Sequence, residues 1–192
     1  MLFLAGKGNF SGNFFVCLRK APMAENPVVL GIDPGSRFTG WGVVAEKSGR
    51  FHLVDCGVIR TVTGGKKTFA ERLAVIFFEL RKILQTCSPS EAAIEQVFAA
   101  HNVASALKLG QARGVAVAAC AAEGIPVSDY EPTLVKNTVV GTGRAEKEQV
   151  LFMVERELNV KRHPNWTLDT SDALAIAICH LVMRRQARLL SK

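Results

Sequence analysis

Four acidic residues stand where a chain built only for packing would not put them. Asp33 closes the apolar run VVLGID, and Glu95 follows Ala92-Ala93-Ile94 in a second short apolar run. Asp169 and Asp172 lie three apart at the start of a long helical pattern, so they project from nearly one face. Singly, each has an ordinary explanation. Asp169 or Asp172 suits a helix cap or a dipole complement, Glu95 a salt-bridge partner, and Asp33-Pro34-Gly35 a turn. If the two runs are neighbouring strands, however, the four carboxylates converge at one edge of a sheet. Converging carboxylates repel, and a fold tolerates them when cations neutralise the charge. Oxygen donors alone favour Mg²⁺ or Mn²⁺ over zinc, and such a site fits two-metal hydrolysis of a phosphodiester.

The elements that must position these acids follow from the hydrophobic pattern. Val28–Asp33 reads as a buried strand. The β-branched and aromatic runs 39–46 and 51–61, split by Lys47-Ser48-Gly49-Arg50, complete a three-stranded antiparallel meander. After the loop Gly64-Gly65-Lys66-Lys67, the capping box Thr68-Phe69-Ala70-Glu71 opens a helix to about Thr86, stopped by Ser88-Pro89. A fourth strand is expected over 91–97, an Ala-rich helix over 102–122 ended by Gly124, and a fifth strand over 127–130. Helices are predicted over 134–140, 144–158 and 170–189. Antiparallel strands followed by strand–helix alternation give one α/β domain with a mixed five-stranded sheet flanked by helices.

Composition sets the bounds. The chain has 192 residues, 48% hydrophobic and 21% charged, enough for one ordinary domain and far from a disordered or collagen-like composition. No apolar run reaches the roughly 20 residues of a membrane helix. Five scattered cysteines (17, 56, 87, 120 and 179) form no C-x-x-C pair, which argues against zinc or a disulfide framework and fits a reducing cytoplasm. The net charge of +7 resides in Lys7, Arg19, Lys20, Arg184, Arg185, Arg188 and Lys192, leaving a neutral body. Net charge hints at an anionic partner, but a local patch must carry that argument. Residues 1–22 show neither strand alternation nor helix period, so they are expected to be a disordered extension or to precede the true initiator, Met23.

Several motifs now occur in order. They are Gly31-Ile32-Asp33-Pro34-Gly35-Ser36, Thr39-Gly40-x-Gly42, Ala93-Ile94-Glu95-Gln96-Val97-Phe98 and Asn102-x-x-Ser105-Ala106-Leu107-Lys108-Leu109-Gly110-Gln111-Ala112-Arg113-Gly114. Val135-Lys136, Thr138-x-x-Gly141-x-Gly143-x-Ala145-x-Lys147 and Asp169-x-x-Asp172-Ala173-Leu174-Ala175-Ile176-Ala177 follow. Together, over about residues 27–181, the chain closely resembles the RuvC family of Holliday-junction resolvases.

The resemblance implies a ribonuclease-H-like fold for a single nuclease domain over 23–192, and a homodimer. It also implies Mg²⁺-dependent nicking of two like-polarity strands in a four-way DNA junction, two metals per subunit with Mn²⁺ as a substitute, and cooperation with the RuvA–RuvB branch-migration machine. The family's catalytic and metal-binding acids fall on Asp33, Glu95, Asp169 and Asp172. Lys136 and Lys147 match phosphate-contact positions, and Phe98 matches an aromatic placed to stack near the strand-exchange point. Lys108 and Arg113 are weaker DNA-contact candidates, because their helix equally suits dimerisation. His101 and His163 read as surface histidines.

Three rival classes are weaker. A YqgF-type nuclease shares the first aspartate, but the Lys108–Gly114 motif and the Asp169/Asp172 pair favour RuvC. An actin-like ATPase needs two such domains and an adenosine site. A non-catalytic junction-binding protein should lack one of the acids, and all four are present.

Overall fold

The computed structural model describes residues 26–96, 103–161 and 166–190. Residues 1–22, Phe98, His101 and His163 lie outside the described residues. The strands are β1 (Val28–Asp33), β2 (Phe38–Lys47), β3 (Arg50–Arg60), β4 (Glu91–Glu95) and β5 (Val127–Tyr130). The helices are α1 (Phe69–Cys87), α2 (Val103–Ala122), α3 (Pro132–Val140), α4 (Lys147–Leu158) and α5 (Leu168–Leu190). The sheet order is β3-β2-β1-β4-β5. The β1–β2 and β2–β3 pairs are antiparallel, and β1–β4 and β4–β5 are parallel.

Strand parity sorts the core into two layers. Leu30, Ile32, Ala92 and Ile94 pack with α1 and α2 on one face. Val29 and Ala93 pack with α3, α4 and α5 on the other. Continuing the alternation puts Asp33 and Glu95 on the α5 side. The register Ile32↔Ile94 sets them level, one residue further along each strand.

Three glycines let α5 lie almost on the sheet backbone. A Cβ at Gly31 would stand 2.0 Å from the Ala173 carbonyl oxygen, and one at Gly40 2.0 Å from that of Asp169. At Gly42 it would meet the Leu174 side chain at 2.5 Å. The helix is covered by the sheet on one side and by α3 and α4 on the other, and residues 173–181 are all buried. Its far half is tied down by polar contacts. Arg184 Nε donates to Glu91 Oε1 at 2.8 Å, and Arg185 Nε donates to Glu46 Oε1 at 2.8 Å.

The capping box at Thr68 forms as expected, with Glu71 bonding back to the Thr68 amide. Cys56, Cys87, Cys120 and Cys179 are free thiols, in keeping with their scatter in the chain. Several expected boundaries shift, two of them beside the candidate site residues. The helix expected from Arg144 begins at Lys147, because Glu146 and Gln149 form a reciprocal cap that holds 142–146 outside it. The strand expected over 91–97 stops at Glu95, and Val97 lies outside the described residues.

Gly40→Ala should lower stability by about 1–3 kcal/mol through overpacking. In a chain of this size that is a fall in melting temperature of roughly 2–4 °C per kcal/mol. Thermal unfolding checks it, and an unchanged melt would show that α5 does not sit on a glycine seam.

Candidate active site

Each acid reaches the edge by its own local route. Asp33 ends β1, where the chain enters the Pro34–Arg37 turn. That turn is pinned from two directions. Thr39 Oγ1 donates to Gly35 O at 2.8 Å, while buried Thr61 donates through Oγ1 to Ser36 O at 2.9 Å and through its amide to Arg37 O at 3.1 Å. Glu95 ends β4 beside it. At the start of α5, Thr167 Oγ1 accepts from the Thr170 amide at 3.4 Å, so the end of the helix does not need Asp169 as its cap. Asp169 and Asp172 therefore bring their carboxylates to the edge over Asp33.

Electrostatics record the convergence. Asp33 is partly buried, and its carboxyl is held well above its ordinary value. Burial is the largest cause, followed by the charges of Glu95, Asp172 and Asp169. Glu95 is also raised, first by burial and then by Asp172, against the opposing pull of Lys147 and Lys136. Lys147 Nζ donates to Asp172 Oδ2 at 2.6 Å. Burial works against the Lys147 ammonium, yet the Asp172 bond and the charges of Asp172, Asp33 and Asp169 hold its pKa above the ordinary lysine value.

The two lysines arrive from the helices covering α5. Val135 and Val139 bury one face of α3, which turns the adjacent Lys136 toward the acid edge, where it acts on Glu95. Gly141 then ends α3 in the left-handed region at φ 89°, where a side chain would be strained. Lys108 stands exposed on α2, close to the turn that follows Asp33. Arg113 is not brought to the acids. Its Nη2 is paired with Asp129 Oδ1 at 2.5 Å on β5.

The donors suit a hard divalent cation in type: all are carboxylate oxygens, and burial first, then the neighbouring acids, raise the Asp33 and Glu95 pKa values. Among the described residues, no three carboxylate, imidazole or thiol groups close on a single point as a finished cage. The Lys147 ammonium on Asp172 is a local countercharge.

A model of the family described as crossover junction endodeoxyribonuclease RuvC matches residues 29–180. The chain belongs to the RuvC family. The crossover junction endodeoxyribonuclease RuvC of Nitratidesulfovibrio vulgaris strain Hildenborough is 58% identical over 167 residues, covering 87% of this chain and 98% of the relative. That of Lawsonia intracellularis is 61% identical over 157 residues, covering 82% and 91%. Among solved structures, Thermus thermophilus RuvC in complex with a Holliday junction substrate superposes with a TM-score of 0.76 at 34% identity. That match covers 84% of this chain and 96% of the other. The yeast mitochondrial resolvase Ydc2, at 16% identity and a TM-score of 0.65, shares the fold. The five-stranded RuvC-type, ribonuclease-H-like architecture is thus as expected. Members of this family are endonucleases whose catalysis depends on metal. Among the described residues, no helix is long and apolar enough to cross a membrane.

One buried network escaped the motif reading. His180 lies between the Tyr130 hydroxyl, 2.8 Å from Nδ1, and Glu91 Oε2, 2.8 Å from Nε2. A ring with its proton on Nε2 satisfies both bonds, donating to Glu91 and accepting from Tyr130. The Glu91 carboxyl is held below its ordinary value, first by the His180 hydrogen bond and then, against burial, by Arg184. Burial pushes the Tyr130 hydroxyl up to about 12. The available signal was His180 and Arg184 four apart on an otherwise apolar helix face.

The raised Asp33 carboxyl has a definite sign in stability. The folded chain holds that proton more tightly than the unfolded one, so the stability it contributes is complete below the ordinary value of 3.8 and is lost as pH rises through the raised value. Asp33→Asn carries no such loss. In EDTA, its melting advantage over the parent should be near zero at the acid end, grow with pH and level off above the raised value. Melts from about pH 4 to about pH 8 test this. An advantage independent of pH would mean that burial and the neighbouring acids do not raise the Asp33 carboxyl.

Proposed function

We propose that this chain is a homodimeric, Mg²⁺-dependent endonuclease that resolves four-way DNA junctions by nicking two strands of like polarity. In this reading it works in a reducing cytoplasm alongside the RuvA–RuvB branch-migration machine. The observation that carries the proposal is the arrival of four carboxylates from three separate elements at one sheet edge, with two lysines beside them. The junction-bound Thermus thermophilus relative supports the substrate class.

Asp33, Glu95, Asp169 and Asp172 would hold the divalent cations, two per subunit, with Mn²⁺ able to replace Mg²⁺. When bound, these ions supply activation of the attacking water and stabilisation of the departing 3′ oxygen, leaving a 5′ phosphate. Asp33 sits at the fixed end of a core strand, which keeps its carboxylate in place without a flexible tether. Lys147, oriented by Asp172, and Lys136, beside Glu95, present ammonium groups to the phosphate backbone. Phe98 is assigned to stacking on an unpaired base at the crossover. A two-fold dimer supplies two such edges for two symmetric nicks. Val103 and Leu107, 73% and 64% exposed on α2, give that helix apolar surface for the second copy.

A synthetic mobile four-way junction, incubated with and without Mg²⁺ beside a linear duplex, tests the activity. Cleavage should require both the branch and the metal. Asp33→Asn should abolish cleavage while junction binding persists or tightens, since a charge that repels DNA is gone. Cutting at near the parental rate would refute the metal-site assignment. Phe98→Ala should leave the salt dependence of binding unchanged and weaken engagement of branched DNA by about 1–3 kcal/mol. A variant that melts lower and loses every activity in proportion would place Phe98 in the core instead.

A further inference from the structure

A second charged feature lies on the opposite side of the acids from Lys136 and Lys147. Where the Pro34–Arg37 turn meets the end of β3, the start of α1 and α2, there is a cleft of about 470 Å³. Arg37, Lys66, Lys67, Arg72 and Lys108 line it, and no carboxylate does. None of these five cations forms an ion pair among the described residues. Glu71, whose carboxyl feels the Lys67 charge, is also engaged by the Thr68 amide and hydroxyl. Lys67 Nζ donates to the Thr63 carbonyl oxygen, a neutral acceptor. The Arg72 guanidinium stacks over the Phe69 ring at 5.2 Å, and its buried Nε has no hydrogen-bond partner.

Five like charges gathered in one concavity repel, and no ion pair among the described residues offsets them. Such a surface is stable in water but is completed by an anion with several acceptor oxygens. The cleft is also held in register with the candidate active site. Arg37 lies four residues beyond Asp33, and the Thr39 and Thr61 hydrogen bonds fix the turn between them. A phosphate seated there would keep a set distance from Asp33.

We infer that this cleft seats backbone phosphates of one DNA arm, on the α1–α2 side of the acid edge, opposite the phosphates met by Lys136 and Lys147. The inference rests on the proposed nuclease function and adds to it a second anchoring point that fixes how the strand crosses the acids. The contacts carry no base information, so they set register and affinity and leave sequence preference to other groups.

The test uses the full chain and the triple variant Arg37→Ala/Lys66→Ala/Lys108→Ala, whose three positions are exposed. Junction binding is measured in EDTA across a salt series, with a thermal melt beside it. The variant should melt with the parent, bind about tenfold or more weakly at low salt, and show a salt slope shallower by roughly one to two units. A walk of single methylphosphonate substitutions through the junction strands then locates the seat. One or two neutralised positions should weaken the parent but leave the variant unchanged. Equal affinity and slope in a normally folded variant would overturn the inference, as would substitutions that weaken both proteins alike at every position. If the parent itself neither binds nor cuts junctions, the nuclease reading falls and the seat falls with it. If the parent cuts junctions but does not differ from the variant in binding, the seat alone falls.

Discussion

The close approach of α5 to the sheet is the constraint on which the rest of this molecule depends. Gly31, Gly40 and Gly42 remove the side chains that would keep a helix at the usual distance, and Asp169 and Ala173 settle their backbone into that space. The consequence is chemical as well as structural. A helix held one side chain further off would carry Asp169 and Asp172 away from Asp33 and Glu95, and the acid edge would separate into two unrelated pairs. Asp33 is partly buried at this edge, and that burial together with the neighbouring acids makes its charge costly to keep.

The far end of α5 answers that cost. Glu91 opens β4 as Glu95 closes it, on the same face of the same strand. Whereas Glu95 faces other acids, Glu91 faces His180 and Arg184 and is held in its charged form by them. Tyr130 extends the network to β5, and Arg185 ties α5 to Glu46 while lying 4.2 Å from the Phe51 ring centroid. The helix is thus anchored by paired charge at one end and brings crowded acids, with Lys147 on Asp172, to the other. Stability is concentrated away from the candidate site, where repulsion is part of the design.

Cations reach the acid edge from both layers of the fold. Lys136 and Lys147 come from the helices that cover α5, and the cluster around Arg37 comes from the β1–β2 turn, the β3–α1 loop and the opposite helices. A neutral body with its basic residues sorted in this way presents an acid line between two basic banks. The net charge of +7 says nothing of that arrangement, because its excess lies in the two terminal segments.

The sequence alone determined the order of elements and singled out the four candidate acids. Both rest on local signals: alternation and period for the strands and helices, and an acid ending an apolar run for Asp33 and Glu95. Even the capping box at Thr68 was legible, since its partners are three residues apart. Tertiary structure decided what distance along the chain hides. It set β1 beside β4 and turned Asp33 and Glu95 to the α5 face. It paired Arg113 with Asp129, placed Lys147 on Asp172 across 25 positions, and buried His180 against Glu91 across 89. Arg37, Lys66 and Arg72 are scattered along the chain, and their common cleft exists only once four segments meet. Local pattern fixes which face a residue takes within its element; only packing fixes which other charge it must then face.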